Sequence, residues 1–148
     1  MQALMPSNSL PALTFATVVL LFTTIVVGGY VSQTGAGLAC PDWPLCPLSL
    51  DAFVVVEFVH RILAITAFLV ALATFIAARR THSSVAPKKL ITAGFILLIV
   101  QVFLIGSSVI YSSLEPILVT AHLGVAVTVL SLYVASYIQM RGNPKGKN

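Results

Sequence analysis

The chain has 148 residues, of which only twelve carry a formal charge, eight Lys or Arg and four Asp or Glu; that is 8%, against the roughly 25% usual in soluble domains. With 58% hydrophobic residues and a mean hydropathy of +1.02, a water-facing globule would expose apolar patches well beyond the few hundred Å² that monomers tolerate. An ordinary soluble surface is excluded, and the net charge of +4 does not point to nucleic acid, because it forms no basic face or stripe.

Hydrocarbon about 30 Å thick needs about 20 apolar residues of helix, and four segments meet that need: 11–31, 53–78, 90–110 and 117–139. The first 41 residues carry no charge, so the first apolar run lacks the basic flank of a secretory signal and reads as a retained span. Gly37-Leu38-Ala39-Cys40 has Gly where a lipoprotein cleavage site needs an aliphatic residue, and lipidation is not expected. The connection 32–52 follows, with Cys40 and Cys46 in "CPDWPLC", where Pro41, Pro44 and Pro47 restrict the backbone. Trp43 reads as an interfacial anchor. Two cysteines this close in an oxidising compartment favour a disulfide, either a structural staple or a reducible redox bond; without a nearby His or a second pair they make a poor zinc site.

The second span contains "EFVHR". Glu57, His60 and Arg61 are thus intramembrane ionisable residues, each costing about 2.5–3.5 kcal/mol when charged at a helix centre, and such residues need partners or a function. Spacings of three and four put them on adjoining parts of one helix face. Arg61 can serve as an internal counter-ion to Glu57, or hold a haem propionate in its fork while Glu57 accepts protons beside a His-bound ligand. A basic connection, Arg79 to Lys89, leads to the third span; His82 within it reads as solvated. After a short turn, Tyr111 to Pro116, the fourth span carries His122. At 1.5 Å per residue, His60 lies about 10 Å and His122 about 8 Å inside the same ends of their helices. Two imidazoles at matched depth can approach the two faces of a haem, although either alone reads better as a hydrogen-bonded structural residue. "VHRILAIT" and "AHLGVAVT" align His, Ala and Thr, a weak internal echo. Gly28, Gly29, Gly94, Gly106 and Gly124 allow close helix approach or leave room for a ligand.

Seven basic residues, Arg79, Arg80, Lys88, Lys89, Arg141, Lys145 and Lys147, fall on one side, and Asp42, Asp51 and Glu115 on the other. The positive-inside rule places both termini in the cytoplasm and the cysteine loop on the outer face of the cell membrane. Lipid enforces helices, and short connections make the chain an all-α, four-transmembrane-helix bundle in a single domain, 1–148.

Three segments, "GGYVSQTGAGLACPDWPLCP" (28–47), "EFVHR" (57–61) and "LEPILVTAHLGVA" (114–126), make the chain resemble the haem A synthase family, which converts haem O to haem A for terminal oxidases of the cytochrome c oxidase type. Long members of that family have eight spans in two related halves, each with a His pair. This chain resembles the N-terminal, substrate-processing half, and the family also has compact four-span members. The resemblance implies that His60 and His122 are axial ligands to haem iron, Glu57 is the catalytic carboxylate, Arg61 contacts a propionate, and Cys40 and Cys46 form a redox-relevant disulfide. It implies oxidation of one ring methyl to a formyl group by two hydroxylations and loss of water, with haem O as substrate, haem B as a further possible cofactor, haem O synthase as a possible partner, and a quinone or other redox partner. Members often carry Arg two residues before the Thr34-Gly35 turn, where this chain has Ser32. The second His pair is absent as well, which the resemblance accommodates by homo-oligomers.

Two other function classes fit parts of the pattern. A bis-His haem b electron carrier uses His60 and His122 but leaves Glu57 and the cysteines idle. A thiol and quinone oxidoreductase of the DsbB or vitamin K epoxide reductase kind uses the cysteines but not the buried His pair.

Overall fold

The computed structural model describes residues 9–42, 49–81 and 85–142. Four helices hold nearly all of them: α1 (Ser9–Thr34), α2 (Ala52–Arg80), α3 (Val85–Tyr111) and α4 (Pro116–Gly142), each long and apolar enough to cross a membrane. No strand occurs among the described residues. The chain is the all-α membrane bundle that its composition demands.

Local chemistry sets the helix ends. α1 stops at Thr34 because Gly35 turns left-handed (φ +72°), the conformation that glycine adopts without steric cost and that ends many helices. A single 3₁₀ turn, Ala36–Ala39, then carries the chain back toward Cys40. Asp51 caps α2: its Oδ1 accepts from the N–H groups of Phe53 (2.9 Å) and Val54 (3.4 Å), a cap worth about 1 kcal/mol. Arg79 and Arg80 occupy the last turn of α2 and Arg141 that of α4, where they complement the helix dipoles. α4 opens on Pro116, whose missing N–H is one that a first turn leaves unpaired anyway.

α3 departs from regularity twice. Residues Gln101–Ile105 form a π-helical turn, with the Gly106 N–H donating to the Gln101 carbonyl. Its C-terminus closes with Leu114 N–H donating to the Val109 carbonyl and Ser113 N–H to that of Ile110, both at 3.0 Å. This is the bonding pattern of a Schellman cap, made here without glycine: Ser113 (φ 58°) and Leu114 (φ 63°) are both left-handed.

The main packing pairs are α1 with α2, α2 with α3, α3 with α4, and α4 with α1. The helices therefore form a four-membered ring in which α2 and α4 lie on a diagonal. Small side chains set the spacing inside: Ala67, Ala71, Ala77 and Ala78 are buried beside Ile91 and Tyr133. Gly94 admits the Tyr133 ring, which would lie 2.9 Å from a Cβ at that position. Hydroxyls bridge helices, with Thr17 and Thr74 Oγ1 atoms 2.9 Å apart between α1 and α2, and Ser136 Oγ donating to the Pro87 carbonyl (3.1 Å) between α4 and α3. Such bonds contribute because hydrocarbon supplies no competing partner. Large side chains face outward instead, among them Phe15, Phe22, Phe58, Phe103 and Ile117, as expected where the surroundings are acyl chains.

Candidate functional site

A cavity of about 250 Å³ lies between the four helices, in the half of the bundle toward the Cys40 connection. Every helix contributes: Thr24 and Gly28 from α1, Glu57, His60 and Arg61 from α2, Gln101 and Gly106 from α3, and Val119 and His122 from α4, with Gly37 and Leu114 from the connections. Glu57, His60, Arg61 and His122, singled out by the sequence, thus face one space.

The two imidazoles reach it from the diagonal pair α2 and α4, across the bundle axis. Glycines make room for both. A Cβ on Gly28 would lie 2.7 Å from His60 Cε1, and one on Gly106 would lie 3.6 Å from His122 Cε1. Of the five glycines noted in the sequence, Gly28, Gly94 and Gly106 accommodate a neighbouring side chain, whereas Gly29 and Gly124 have nothing within 4 Å. The Nδ1 atoms of His60 and His122 are buried without a partner among the described residues.

This donor set suits haem. Among the described residues no three His, Cys, Asp or Glu side chains gather into a metal cage, so a metal here must bring most of its ligands with it. A porphyrin does so, and its iron takes neutral imidazole on either face.

Glu57 and Arg61 are both buried, at 4% and 8% exposure, and they pair directly: Arg61 Nε donates to Glu57 Oε1 at 2.7 Å. The rest of the fork points away from the helix. Nη2 donates to the Cys40 carbonyl at 2.6 Å and Nη1 to the Asp42 carbonyl. Arg61 is therefore both the counter-ion of Glu57 and the tether that fastens the cysteine connection to α2. Cys40 is fully buried, its Sγ 3.9 Å from the Val54 carbonyl oxygen. Cys46, Trp43 and His82 lie outside the described residues.

Gln101 is the cavity residue that sequence reasoning missed. It is 5% exposed, sits on the π-helical turn, and donates from Nε2 to the His122 carbonyl at 2.8 Å. The available signal was a lone amide inside the apolar run "ILLIVQVFLIG"; a polar side chain in a span is a functional candidate by default.

Fold and site together define a multi-pass membrane protein built around an interior pocket with two facing imidazoles and one paired carboxylate. The chain belongs to the cytochrome oxidase assembly protein family, the haem A synthase family, whose family model matches residues 11–52 and 47–148. A protoheme IX farnesyltransferase of Haloarcula marismortui is 28% identical over 131 residues, which make up 86% of this chain and 28% of that protein. The chain thus spans less than a third of the length of that curated relative. No solved structure matches it.

Proposed function

We propose that the protein is a haem A synthase, oxidising a ring methyl of haem O to the formyl group of haem A for a terminal oxidase. The observation that carries this reading is the convergence of Glu57, His60 and His122 on one interior cavity in a chain of this family. His60 and His122 would hold the haem through its iron. Iron supplies the oxidising chemistry at the ring when haem is bound; the chain's own groups bind, orient and move protons. Glu57, on the same face of α2 as His60, takes protons from the reacting carbon or stabilises positive charge developing there. Arg61 keeps that carboxylate paired until substrate arrives, and a propionate reaching Arg61 would compete with the connection's carbonyls for its fork.

Cys40 and Cys46 form the outer disulfide in this proposal, placed to exchange electrons with a quinone or another redox partner. The basic ends of the helices face the cytoplasm and the cysteine connection faces out of the cell membrane. The likeness to a protoheme IX farnesyltransferase supports a haem substrate and a supply line from the farnesylating step, with haem O synthase as partner. Because one chain offers one His pair, a second haem site would come from another copy in a homo-oligomer.

The test is haem extraction and mass analysis from a host that makes haem O but has no haem A synthase of its own. Wild-type protein should yield haem A, and Glu57→Gln should keep its haem while losing conversion by at least about 100-fold, the low end for a general acid–base group. Wild-type haem A levels from Glu57→Gln would remove the carboxylate from the reaction. A protein that binds haem but never forms haem A would be an electron carrier.

A further inference from the structure

Two buried polar atoms, one on α3 and one on α4, lack partners among the described residues: Gln101 Oε1, an acceptor, and His122 Nδ1, a donor in one imidazole tautomer. The amide is oriented unambiguously, because its Nε2 donates to the His122 carbonyl (2.8 Å), and only the nitrogen end can do so. The π-helical turn supports this arrangement. The Gln101 carbonyl accepts from the Gly106 N–H, and a Cβ at Gly106 would lie 3.1 Å from that carbonyl oxygen and 3.6 Å from His122 Cε1. Gln101, Gly106 and His122 are thus packed as one unit. Single π-turns inside α-helices recur at functional sites because they re-aim one side chain, and this one aims an amide at the backbone of a residue lining the cavity.

We propose that Gln101 is the positioning residue of His122: its Oε1 accepts a hydrogen bond from His122 Nδ1–H when His122 Nε2 binds haem iron. Buried and without partners among the described residues, the two atoms complement each other as acceptor and donor, and Gln101 Nε2 already holds the amide against the His122 backbone. The bond fixes the tautomer that leaves the Nε2 lone pair toward the cavity, and it makes the imidazole a stronger donor, as carboxylate or carbonyl partners do for metal-bound histidines generally. His60 lies instead against Gly28 and the Thr24 backbone. This inference rests on the haem-binding reading of the cavity.

The experiment titrates haemin into the full-length chain in lipid nanodiscs and measures affinity and midpoint potential for wild type, Gln101→Met and Gln101→Glu, with helicity as the folding control. Gln101→Met should weaken haemin binding about 10–100-fold, as loss of an outer partner does at metal sites, and should raise the midpoint potential because oxidised iron loses donor strength. Gln101→Glu, which keeps an acceptor for Nδ1–H but gives up the bond to the His122 carbonyl, should bind haemin more tightly than Gln101→Met and lower the potential. Opposite shifts together with weaker haemin binding in folded Gln101→Met support the proposal. Equal potentials in all three folded proteins would overturn it. If only Gln101→Glu folds, an unchanged or raised potential in that variant overturns it alone. A folded wild type that takes up no haemin would instead refute the haem-binding reading beneath it, so the two failures are distinguishable.

Discussion

Single atoms at Gly28 and Arg61 decide how the site is held. The His60 ring occupies the space where a Gly28 side chain would be, 2.7 Å from its Cβ, whereas the neighbouring Gly29 faces open space. Gly28→Ala should therefore displace His60 and cost about 1–3 kcal/mol through overpacking, with haem affinity down at least about tenfold in a spectroscopic titration. Gly29→Ala, also on the cavity lining but with nothing within 4 Å of a Cβ there, should lower affinity less than Gly28→Ala and stabilise the helix by about 0.5–1 kcal/mol. Equal losses from both would mean that the helix, not the imidazole, is what glycine protects. Arg61 is subject to a second test. Removing one partner of a buried ion pair strands the other charge, at about 3–5 kcal/mol, so Arg61→Ala should lower the thermal midpoint in detergent sharply. Adding Glu57→Gln should restore part of that loss, since an amide needs no counter-ion. A double variant that falls by the sum of the single losses would show that the tether to the Cys40 and Asp42 carbonyls, not the pair, is what Arg61 supplies. The sequence displayed Glu57, His60 and His122 because ionisable groups are conspicuous in an apolar run. It could not show which glycine backs His60, nor that the Arg61 fork reaches 21 residues back to Cys40, because those contacts arise only when separate elements pack.

At the scale of elements, α3 has irregularities that no hydropathy pattern encodes. Its π-helical turn and its glycine-free cap lie on either side of Gly106 and both contribute to the cavity wall, Gln101 through the turn and Leu114 through the cap. Leu114 packs over Gly37, with Cδ2 3.3 Å from where a Cβ would sit, so the α3–α4 connection and the 3₁₀ turn after α1 close one end of the cavity together. That closure retains two non-glycine residues in left-handed backbone, each costing about 1–2 kcal/mol. Ser113→Gly should relieve one of them and raise stability by about 1 kcal/mol, read as a higher thermal midpoint in detergent. Leu114→Gly should relieve strain equally but open the wall above Gly37, weakening haem retention while Ser113→Gly leaves it intact. Loss of haem retention in Ser113→Gly would mean that the cap's strain is itself required by the site. In the sequence Asp51 is visible only as a topological charge; its role as a cap appears once α2 forms. Caps and turns are specified by one or two side chains, whereas spans are specified by twenty, and that difference explains why the spans were legible and these ends were not.

At the scale of the molecule, the twelve charges divide the chain into a polar frame and a buried site. Five of the basic residues, Arg79, Arg80, Lys88, Lys89 and Arg141, lie at one end of the bundle, at the C-termini of α2 and α4 and in the first turns of α3. Asp51 and Glu115 precede α2 and α4 at the other end, and Glu57 and Arg61 remain inside. The architecture was readable because lipid permits so few alternatives: every backbone bond must close within a helix, and four apolar segments with short connections can only alternate in direction. The cavity was foreseen only as two matched depths, since depth follows from position in a helix while the diagonal placement of α2 and α4 follows from the order in which the ring closes. Orientation is the consequence most open to measurement. The positive-inside rule counts Lys and Arg in short connections near span ends, so a fluorescent protein fused after Asn148 should fold and fluoresce, and alkaline phosphatase at the same point should be inactive. Changing Arg79, Arg80, Lys88 and Lys89 to Gln removes four of the seven basic residues on that side and leaves those near and beyond the end of α4. A mixed population should result, with part of the phosphatase fusion becoming active. If the phosphatase fusion is already active on the unaltered chain, the bundle is inverted, the cysteine connection lies in the reducing cytoplasm, and the proposed disulfide exchange at the outer face is excluded with it.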